Sequence, residues 1–292
     1  LKLLRRTRNK VWAVWLAGLL ATSLGVQAQT GDLEEEDVFE LSPFTVTAAE
    51  DEGYRSTTTL AGTRLKTQLK DIGSAISVLT EEFFEDTGAT DAQSVLSYAL
   101  NMEVGGDQGN YAGGTNQNDQ RTNPQNRQRV RGLGAASLTR NYFLTSIPFE
   151  TYNTDRVTIN RGPNSLLFGI GTPSGVIENS VARASVNKDF GDASVRVGER
   201  GSTRLALDVN KTLIEGRLGL RAAVLSKKTK FKQEPAYEDD ERIYLSATGV
   251  LREGGDGILG KTTIRANLET GEIVSNRPDV TPPINNIEHW FE

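Results

Sequence analysis

Alternation of apolar and polar residues after about residue 185 is the feature that most constrains this fold. Successive side chains of a β-strand point to opposite faces, so alternation predicts strands with one apolar and one polar face. The apolar positions are Val195 and Val197; Leu205, Leu207 and Val209; Leu218, Leu220, Ala222 and Val224; Ile243, Leu245 and Ala247; and Ile264, Ala266 and Leu268. A transmembrane β-barrel with a polar lumen and a soluble β-sandwich both fit this pattern.

The first 28 residues favour an exported protein. Arg5 and Lys10 belong to a basic start, residues 11–24 are apolar, and Val26 and Ala28 place small residues where signal peptidase cuts. The alternative is a membrane anchor, but the apolar run is shorter than the roughly 20 residues that a spanning helix needs. We predict a signal peptide over residues 1–28, cleaved after Ala28.

Composition argues against several classes of function. The chain has no cysteine and a single histidine, His289, so we expect no disulfide, no metal site and no cofactor. Its net charge is −5 and its basic residues are scattered, which argues against a nucleic-acid partner. The neighbouring acids Asp239, Asp240 and Glu241 have no recognisable catalytic companions and indicate a solvated loop, so we do not expect an enzyme.

Residues 29–50 combine an acidic stretch with a short β-prone segment. The acidic part cannot bury a core and is typical of a solvated tether. Residues 44–48 alternate Val and Thr after Pro43, which favours an extended conformation. Such a segment is either the edge strand of the following domain or a peptide that adds as a strand to a partner protein.

A mixed α/β pattern follows over residues 51–184. Residues 75–79 predict a strand, and Thr80 is positioned to cap a helix that ends before Gly88. Asp91 is the predicted cap of a second helix over residues 92–100. Its expected core-facing residues are Val95, Leu96, Ala99 and Leu100, and further strands are expected at 129–131, 142–144 and 156–160.

A long segment rich in Gly, Asn and Gln, residues 105–128, interrupts this pattern. Connections of this length without a hydrophobic period are uncommon in compact domains, so the segment is either disordered or a binding loop. As a binding loop, we expect it to contact ligand together with one residue of a later loop. The candidate contact residues are Tyr111, Asn116, Asn118, Arg121 and Tyr152.

Four segments in one order and spacing carry a family resemblance. Residues 44–48, 69–79, 129–132 and 155–163 together resemble the motifs of TonB-dependent outer-membrane receptors. Residues 169–177 are similar to the glycine-rich turn that precedes the last plug strand, although Glu178 stands near where many relatives have Asn. The resemblance implies an α+β plug domain over residues 51–184, followed by antiparallel β-strands of an incomplete transmembrane β-barrel over residues 185–292.

The resemblance also implies a mechanism and partners. Residues 44–48 would be the TonB box, which pairs as a strand with TonB, itself driven by ExbB and ExbD. The box residues are Phe44, Thr45, Val46, Thr47 and Ala48. The receptor would lie among outer-membrane lipid and import an extracellular ligand such as a siderophore, cobalamin or an oligosaccharide. The alternative is an exported plug-like binding or regulatory module that transports nothing.

Three plug arginines are further candidates. Arg131, Arg156 and Arg161 would either hold the plug to acidic residues of the barrel wall or support plug loops internally. Plugged barrels of this size use about 22 strands, whereas residues 190–292 supply five or six at about ten residues each. We therefore expect an incomplete chain whose Pro- and Asn-rich residues 276–292 form a loop before the next strand.

Overall fold

A computed structural model describes residues 53–61, 65–105, 109–111, 124–163, 169, 171–252 and 261–278. The described residues up to 184 form an α+β domain, here called the plug, and those from 190 to 276 form a five-stranded antiparallel sheet, here called the strand sheet. Plug and strand sheet belong to one compact unit. Among the described residues, no helix is long and apolar enough to cross a membrane.

The plug is built around a five-stranded mixed sheet. The strands described in the whole plug are β1 (Thr58–Thr59), β2 (Thr67–Gln68), β3 (Ala75–Thr80), β4 (Met102–Val104), β5 (Gln128–Val130), β6 (Ser137–Arg140), β7 (Phe143–Leu144), β8 (Thr154–Arg161) and β9 (Gly175–Val181). The main sheet has the order β3-β8-β9-β6-β7, in which only β6 and β9 run parallel to each other, and β1-β2 and β4-β5 form separate pairs. Strand β8 is buried along its whole length, so it forms the centre of the plug.

Two short helices follow β3, with the caps that the sequence predicts. In α1 (Glu81–Thr87), the Thr80 hydroxyl accepts a hydrogen bond from the Phe83 amide, and Gly88 adopts the left-handed conformation that ends the helix. In α2 (Ala92–Leu96), Asp91 and Ser94 cap each other reciprocally.

The second helix ends earlier than predicted. It stops at Leu96 rather than Leu100, and Leu100 is 76% exposed instead of facing the core. The chain turns away because Asn101 has a positive φ of 57°, and the Leu100 carbonyl accepts a hydrogen bond from Arg161.

The plug core lies between these helices and the main sheet. Its buried apolar residues are Phe84, Ala89, Ala92, Val95, Leu96, Met102, Val104, Val130, Ala136, Val157, Ile159 and Ile177. Phe84 packs edge to face against Phe149, with ring centroids 6.4 Å apart, which fixes the loop before β8 to the helical layer.

Local turns displace two of the predicted plug strands. Arg131 and Tyr142 have positive φ angles of 57° and 65°, and neither lies in a strand. Strand β5 therefore ends at Val130, and β7 begins only at Phe143. Strand β6, whose residues show no clean alternation in the sequence, was not predicted.

The strand sheet confirms the strands that the alternation predicts. Its strands are β10 (Phe190–Val197), β11 (Thr203–Ile214), β12 (Leu218–Lys230), β13 (Tyr237–Arg252) and β14 (Thr262–Asn276), paired in chain order. One face, the outer face, exposes apolar side chains such as Leu205, Leu220 and Leu245. The opposite, inner face contacts the plug and carries buried polar side chains. These are Asn210, Arg221, Glu238, Asp240, Arg242, Ser246 and Thr248.

The structure of the acidic segment 239–241 differs from the solvated loop that the sequence indicates. It belongs to β13 and is not a solvated loop, and Asp240 is 3% exposed. The strand period turns Asp240 inward, where the side chain of Arg242 binds it, while Asp239 and Glu241 point outward.

Candidate functional site

The candidate site is the interface between the plug and the inner face of the strand sheet. Its apolar part joins Tyr152 and Val181 of the plug to Ala206, Ala223, Leu225 and Tyr244 of the sheet. The Tyr244 hydroxyl donates to the Ala182 carbonyl at 2.6 Å, so the buried phenol is satisfied by plug backbone. This cluster places the plug against β11, β12 and β13.

A bidentate ion pair crosses the interface at Glu150. Arg204 of β11 donates from Nε and Nη2 to the two Glu150 carboxylate oxygens, each at 2.8 Å. The Glu150 side chain is 1% exposed and that of Arg204 is 10% exposed. Glu150 also accepts from the Tyr152 amide at 3.0 Å. A bidentate pair shielded from water in this way fixes both the distance and the orientation of the plug.

Glu269 of β14 is the centre of a second crossing contact. The plug residues Arg140 and Tyr152 both bind its carboxylate, and the Tyr152 hydroxyl donates at 2.6 Å. Burial, together with the hydrogen bond to Glu269, raises the pKa of Tyr152 well above its usual range. The phenol therefore stays protonated and keeps donating.

Further cations of the inner face also contact the plug. Arg242 donates to the Pro148 carbonyl at 2.6 Å, and Lys227 lies 3.6 Å from the Asp91 carboxylate that caps α2. Except for the contacts of Arg140 and Tyr152 with Glu269, these crossing contacts have one polarity, with the cation on the sheet and the acceptor on the plug.

A cavity of about 570 Å³ opens beside these contacts. It lies at the end of the sheet where β10 and β12 finish and β11 and β13 begin, and its plug side includes Gly105, Gly109 and Pro124. These three residues belong to the segment 105–128, so part of the predicted binding loop lines the cavity. The volume falls within the usual range of small-molecule pockets, about 300–1,000 Å³.

The charged residues around the cavity are unequal in number. Its acids are Asp91, Glu150, Glu238 and Asp240, and its cations are Arg127, Arg196, Arg204, Lys227, Lys228, Arg242 and Arg277. Each of the four acids has an ion-pair partner among the cations. The lining therefore has an excess of three positive charges, although the chain as a whole has a net charge of −5.

The three predicted arginines lie in the plug. Arg156 donates to the Ser56 hydroxyl and the Thr58 carbonyl, at 3.3 and 3.4 Å. Arg161 donates to the Leu100 carbonyl and the Ser77 hydroxyl, both at 2.9 Å. The backbone amide of Arg131 donates to the Asn101 carbonyl, and its side chain is exposed. These contacts of Arg156 and Arg161 remain inside the plug and fit internal support.

Of the predicted ligand residues, the structure describes Tyr111 and Tyr152, which have different surroundings. Tyr111 lies under the guanidinium of Arg129, which is 4.9 Å from its ring centroid. Tyr152 is 6% exposed and bonded to β14, which corrects its expected position on an outward loop: the short helical turn Thr151–Asn153 directs it into the interface. Asn116, Asn118 and Arg121, like the segment 44–48, lie outside the described residues.

Sequence reasoning missed Glu150, Arg204, Glu269 and Arg242. The signal for the last three was present, because each is a charged residue at an inward position of an alternating strand. Glu150 carries no local signal. Its role depends on a partner 54 residues away, which no spacing rule identifies.

Comparison with known proteins agrees with this architecture. The family model described as TonB-dependent Receptor Plug Domain matches residues 68–176. A probable TonB-dependent siderophore receptor, PiuA, of Acinetobacter baumannii is 26% identical over 225 residues, which cover 75% of this chain and 28% of PiuA. The metal-pseudopaline receptor CntO of Pseudomonas aeruginosa is 28% identical over 203 residues, which cover 68% of this chain and 27% of CntO.

Solved receptors share the fold. The ferripyoverdine receptor of the Pseudomonas aeruginosa outer membrane, bound to ferripyoverdine, aligns with 80% of this chain and 32% of its own, with a TM-score of 0.63 at 18% identity. The crystal structure of PiuA aligns with 68% of this chain and 27% of its own, with a TM-score of 0.53 at 22% identity. The chain spans less than a third of the length of each of these proteins. Residues 68–176 match the plug domain of TonB-dependent receptors, and the strand sheet shares its fold with part of the barrel of the solved receptors, so the chain is similar to these receptors over the plug and part of the barrel.

Proposed function

We propose that this chain acts in an outer-membrane receptor that binds a metal–siderophore complex and imports it with energy supplied through TonB, ExbB and ExbD. The observation that carries the proposal is the packing of a plug on the polar inner face of a sheet whose outer face is apolar. An apolar outer face fits lipid, and a polar inner face held by breakable ion pairs fits a plug that must rearrange.

The ligand class is inferred from the relatives and from the cavity. PiuA and CntO are named as receptors for a siderophore and for metal-pseudopaline, and Fiu of Escherichia coli as a catecholate siderophore receptor. All three names describe metal chelators or their complexes. A cavity of about 570 Å³ beside the plug, with an excess of cationic side chains in its lining, has a suitable size and position for such a ligand.

Coupling is proposed to run through the segment 44–48. Pairing by β-augmentation draws its affinity from backbone hydrogen bonds, so a residue without a backbone donor weakens it. Val46→Pro should abolish capture of the receptor by the periplasmic domain of TonB and stop receptor-dependent uptake of ferric siderophores, while binding of those siderophores stays unchanged.

Glu35→Pro in the acidic tether is the matched control, and we expect it to retain TonB capture and uptake. Catecholate and hydroxamate complexes labelled with radioactive iron serve as the transport probes. Normal TonB capture by Val46→Pro would contradict the coupling segment. Absence of receptor-dependent uptake of every iron complex by the wild-type receptor would contradict the transport function.

A further inference from the structure

Arg196 on β10 differs from the other inward-facing cations of the cavity. It stands directly opposite Arg204 in the register of β10 and β11, so both side chains point to the plug. Arg204 is neutralised by Glu150, whereas the described residues place no carboxylate within ion-pair distance of Arg196. Like charges directly opposite each other destabilise a sheet, so strand pairing does not explain an arginine at this position.

Arg196 is also reachable from the cavity. It is exposed, and its guanidinium lies against Gly88, where a Cβ atom would be only 2.8 Å from Nη2. Gly88 provides this room and also needs to be glycine for its left-handed conformation, with φ of 64°. The guanidinium is thus held at the end of α1, with its donors available to a molecule in the cavity.

Lys228 lines the same cavity, but its side chain points in a different direction from that of Arg196. It follows Lys227 on β12, and Lys227 contacts the plug, so the strand period turns Lys228 to the outer face. Arg196 is therefore the cation best placed to meet a negative charge. Its planar fork of donors suits carboxylate and catecholate oxygens.

We propose that the cavity selects an anionic metal chelate and that Arg196 binds a negatively charged oxygen of that ligand. The inference rests on the proposed function and adds the charge of the ligand and the residue that reads it. Binding is driven by the excess of positive charge in the lining, which is two charges when the outward-facing Lys228 is left out, and it weakens as salt increases.

The test compares two probes of similar size, an anionic ferric tris-catecholate complex and a neutral ferric tris-hydroxamate complex. In the full receptor, the wild-type protein should bind the anionic complex more tightly. Arg196→Gln should weaken that binding about tenfold or more, the scale of one lost charge-assisted hydrogen bond, and leave binding of the neutral complex unchanged. Arg196→Lys should retain part of the preference.

Lys230→Gln is the matched control, with an expected change of less than about twofold because Lys230 is exposed, lies outside the cavity lining and is turned to the outer face by the strand period. A purely structural role for Arg196 at the end of α1 predicts a lower unfolding temperature and equal losses for both complexes, and that result would overturn the proposal. Equal affinity of the wild-type receptor for both complexes would also overturn it, while the transport function would stand. Failure to bind either complex would instead count against the proposed function.

Discussion

At the scale of single residues, Glu178 is a deeply buried carboxyl of the plug whose hydrogen bonding is incomplete among the described residues. It lies on the central strand β9 and is 1% exposed. One carboxylate oxygen accepts from the Tyr142 amide at 2.8 Å and from the Thr139 hydroxyl, whereas the other has no hydrogen-bond partner in the part of the chain that the structure describes. Burial raises the pKa of this carboxyl to about 7, against the lowering effect of the Thr139 hydroxyl, the Tyr142 and Asn141 amides and the charge of Arg183.

The raised pKa predicts how pH changes plug stability. The folded plug holds this proton more tightly than the unfolded chain, whose carboxyl has a pKa near 4.5, so its contribution is fully present below that pH. It is lost as pH rises through about 7, at an order of 3 kcal/mol. Glu178→Gln, which cannot ionise, should slow amide hydrogen exchange in β9 at pH 8 relative to the wild-type receptor and have little effect at pH 4.

The control for this experiment is Glu103→Gln. Glu103 pairs with Arg129, whose side chain holds the pKa of that carboxyl below its usual range. Glu103 therefore stays ionised across neutral pH, and we expect no gain in protection at pH 8. Unchanged or faster exchange in β9 of Glu178→Gln at pH 8 would show that the ionised carboxylate is better solvated than its burial indicates.

At the scale of elements, the segment 182–189 between β9 and β10 is clamped to the inner face. Asn210 of β11 binds it through the Ser185 amide at 2.9 Å and the Ser185 and Lys188 carbonyls at 3.1 and 2.6 Å. Gly219 of β12 lets it approach, because a Cβ atom there would lie 2.0 Å from the Ser185 carbonyl oxygen. Any side chain at residue 219 must push the segment away.

Gly219→Ala should therefore loosen the plug from the strand sheet. We expect a loss of stability of about 1–3 kcal/mol, the usual effect of overpacking. Limited proteolysis of the receptor should show faster cleavage within residues 182–189. Gly249→Ala is the matched control on the next strand, where a Cβ atom meets only Leu218 at 4.0 Å. Equal cleavage of the two variants would mean that the segment can shift without cost.

Sequence reasoning worked at this scale wherever structure is local. Alternation located all five strands of the sheet, and Thr80 and Asp91 marked the starts of both helices, because strand period and capping depend on neighbouring residues. The end of α2 was wrong, since the turn at Asn101 and the hydrogen bond from Arg161 come from tertiary structure.

The candidate site was much less predictable. The polar inner face of the sheet followed from the alternating pattern. The pairs that join this face to the plug did not, because Glu150 meets Arg204 and Tyr152 meets Glu269 only after folding. The sequence also suggested plug arginines against barrel acids, while the described contacts mostly pair sheet cations with plug acceptors. Segments 44–48 and 112–123 lie outside the described residues, and their roles stay predictions.

At the scale of the whole molecule, the interface holds the plug on the sheet through apolar contacts and through polar contacts that can break. The apolar cluster around Ala223 and Tyr244 provides buried contact area between the plug and the sheet. The pairs Glu150–Arg204 and Glu269–Tyr152 fix the orientation of the plug. Hydrogen bonds require short distances and good alignment, so displacement of the plug by a few ångströms would break them. Under the proposed coupling, force applied through residues 44–48 would have to break these polar contacts before the plug moves.

The pair Glu150–Arg204 allows this to be measured. Arg204→Gln leaves the Glu150 carboxylate buried without its cation, and breaking a buried pair from one side costs about 3–5 kcal/mol. The variant should release the plug at lower force when the receptor is pulled by its tether in single-molecule experiments. Glu150→Gln combined with Arg204→Gln should recover much of the loss, because no unpaired charge remains and the Gln oxygen can still accept from the Tyr152 amide.

Arg129→Gln, which breaks the more exposed pair with Glu103 inside the plug, is the control and should leave the release force unchanged. If Arg204→Gln matched that control, or if the double variant were no stronger than the single one, the Glu150–Arg204 pair would not contribute to the force that holds the plug.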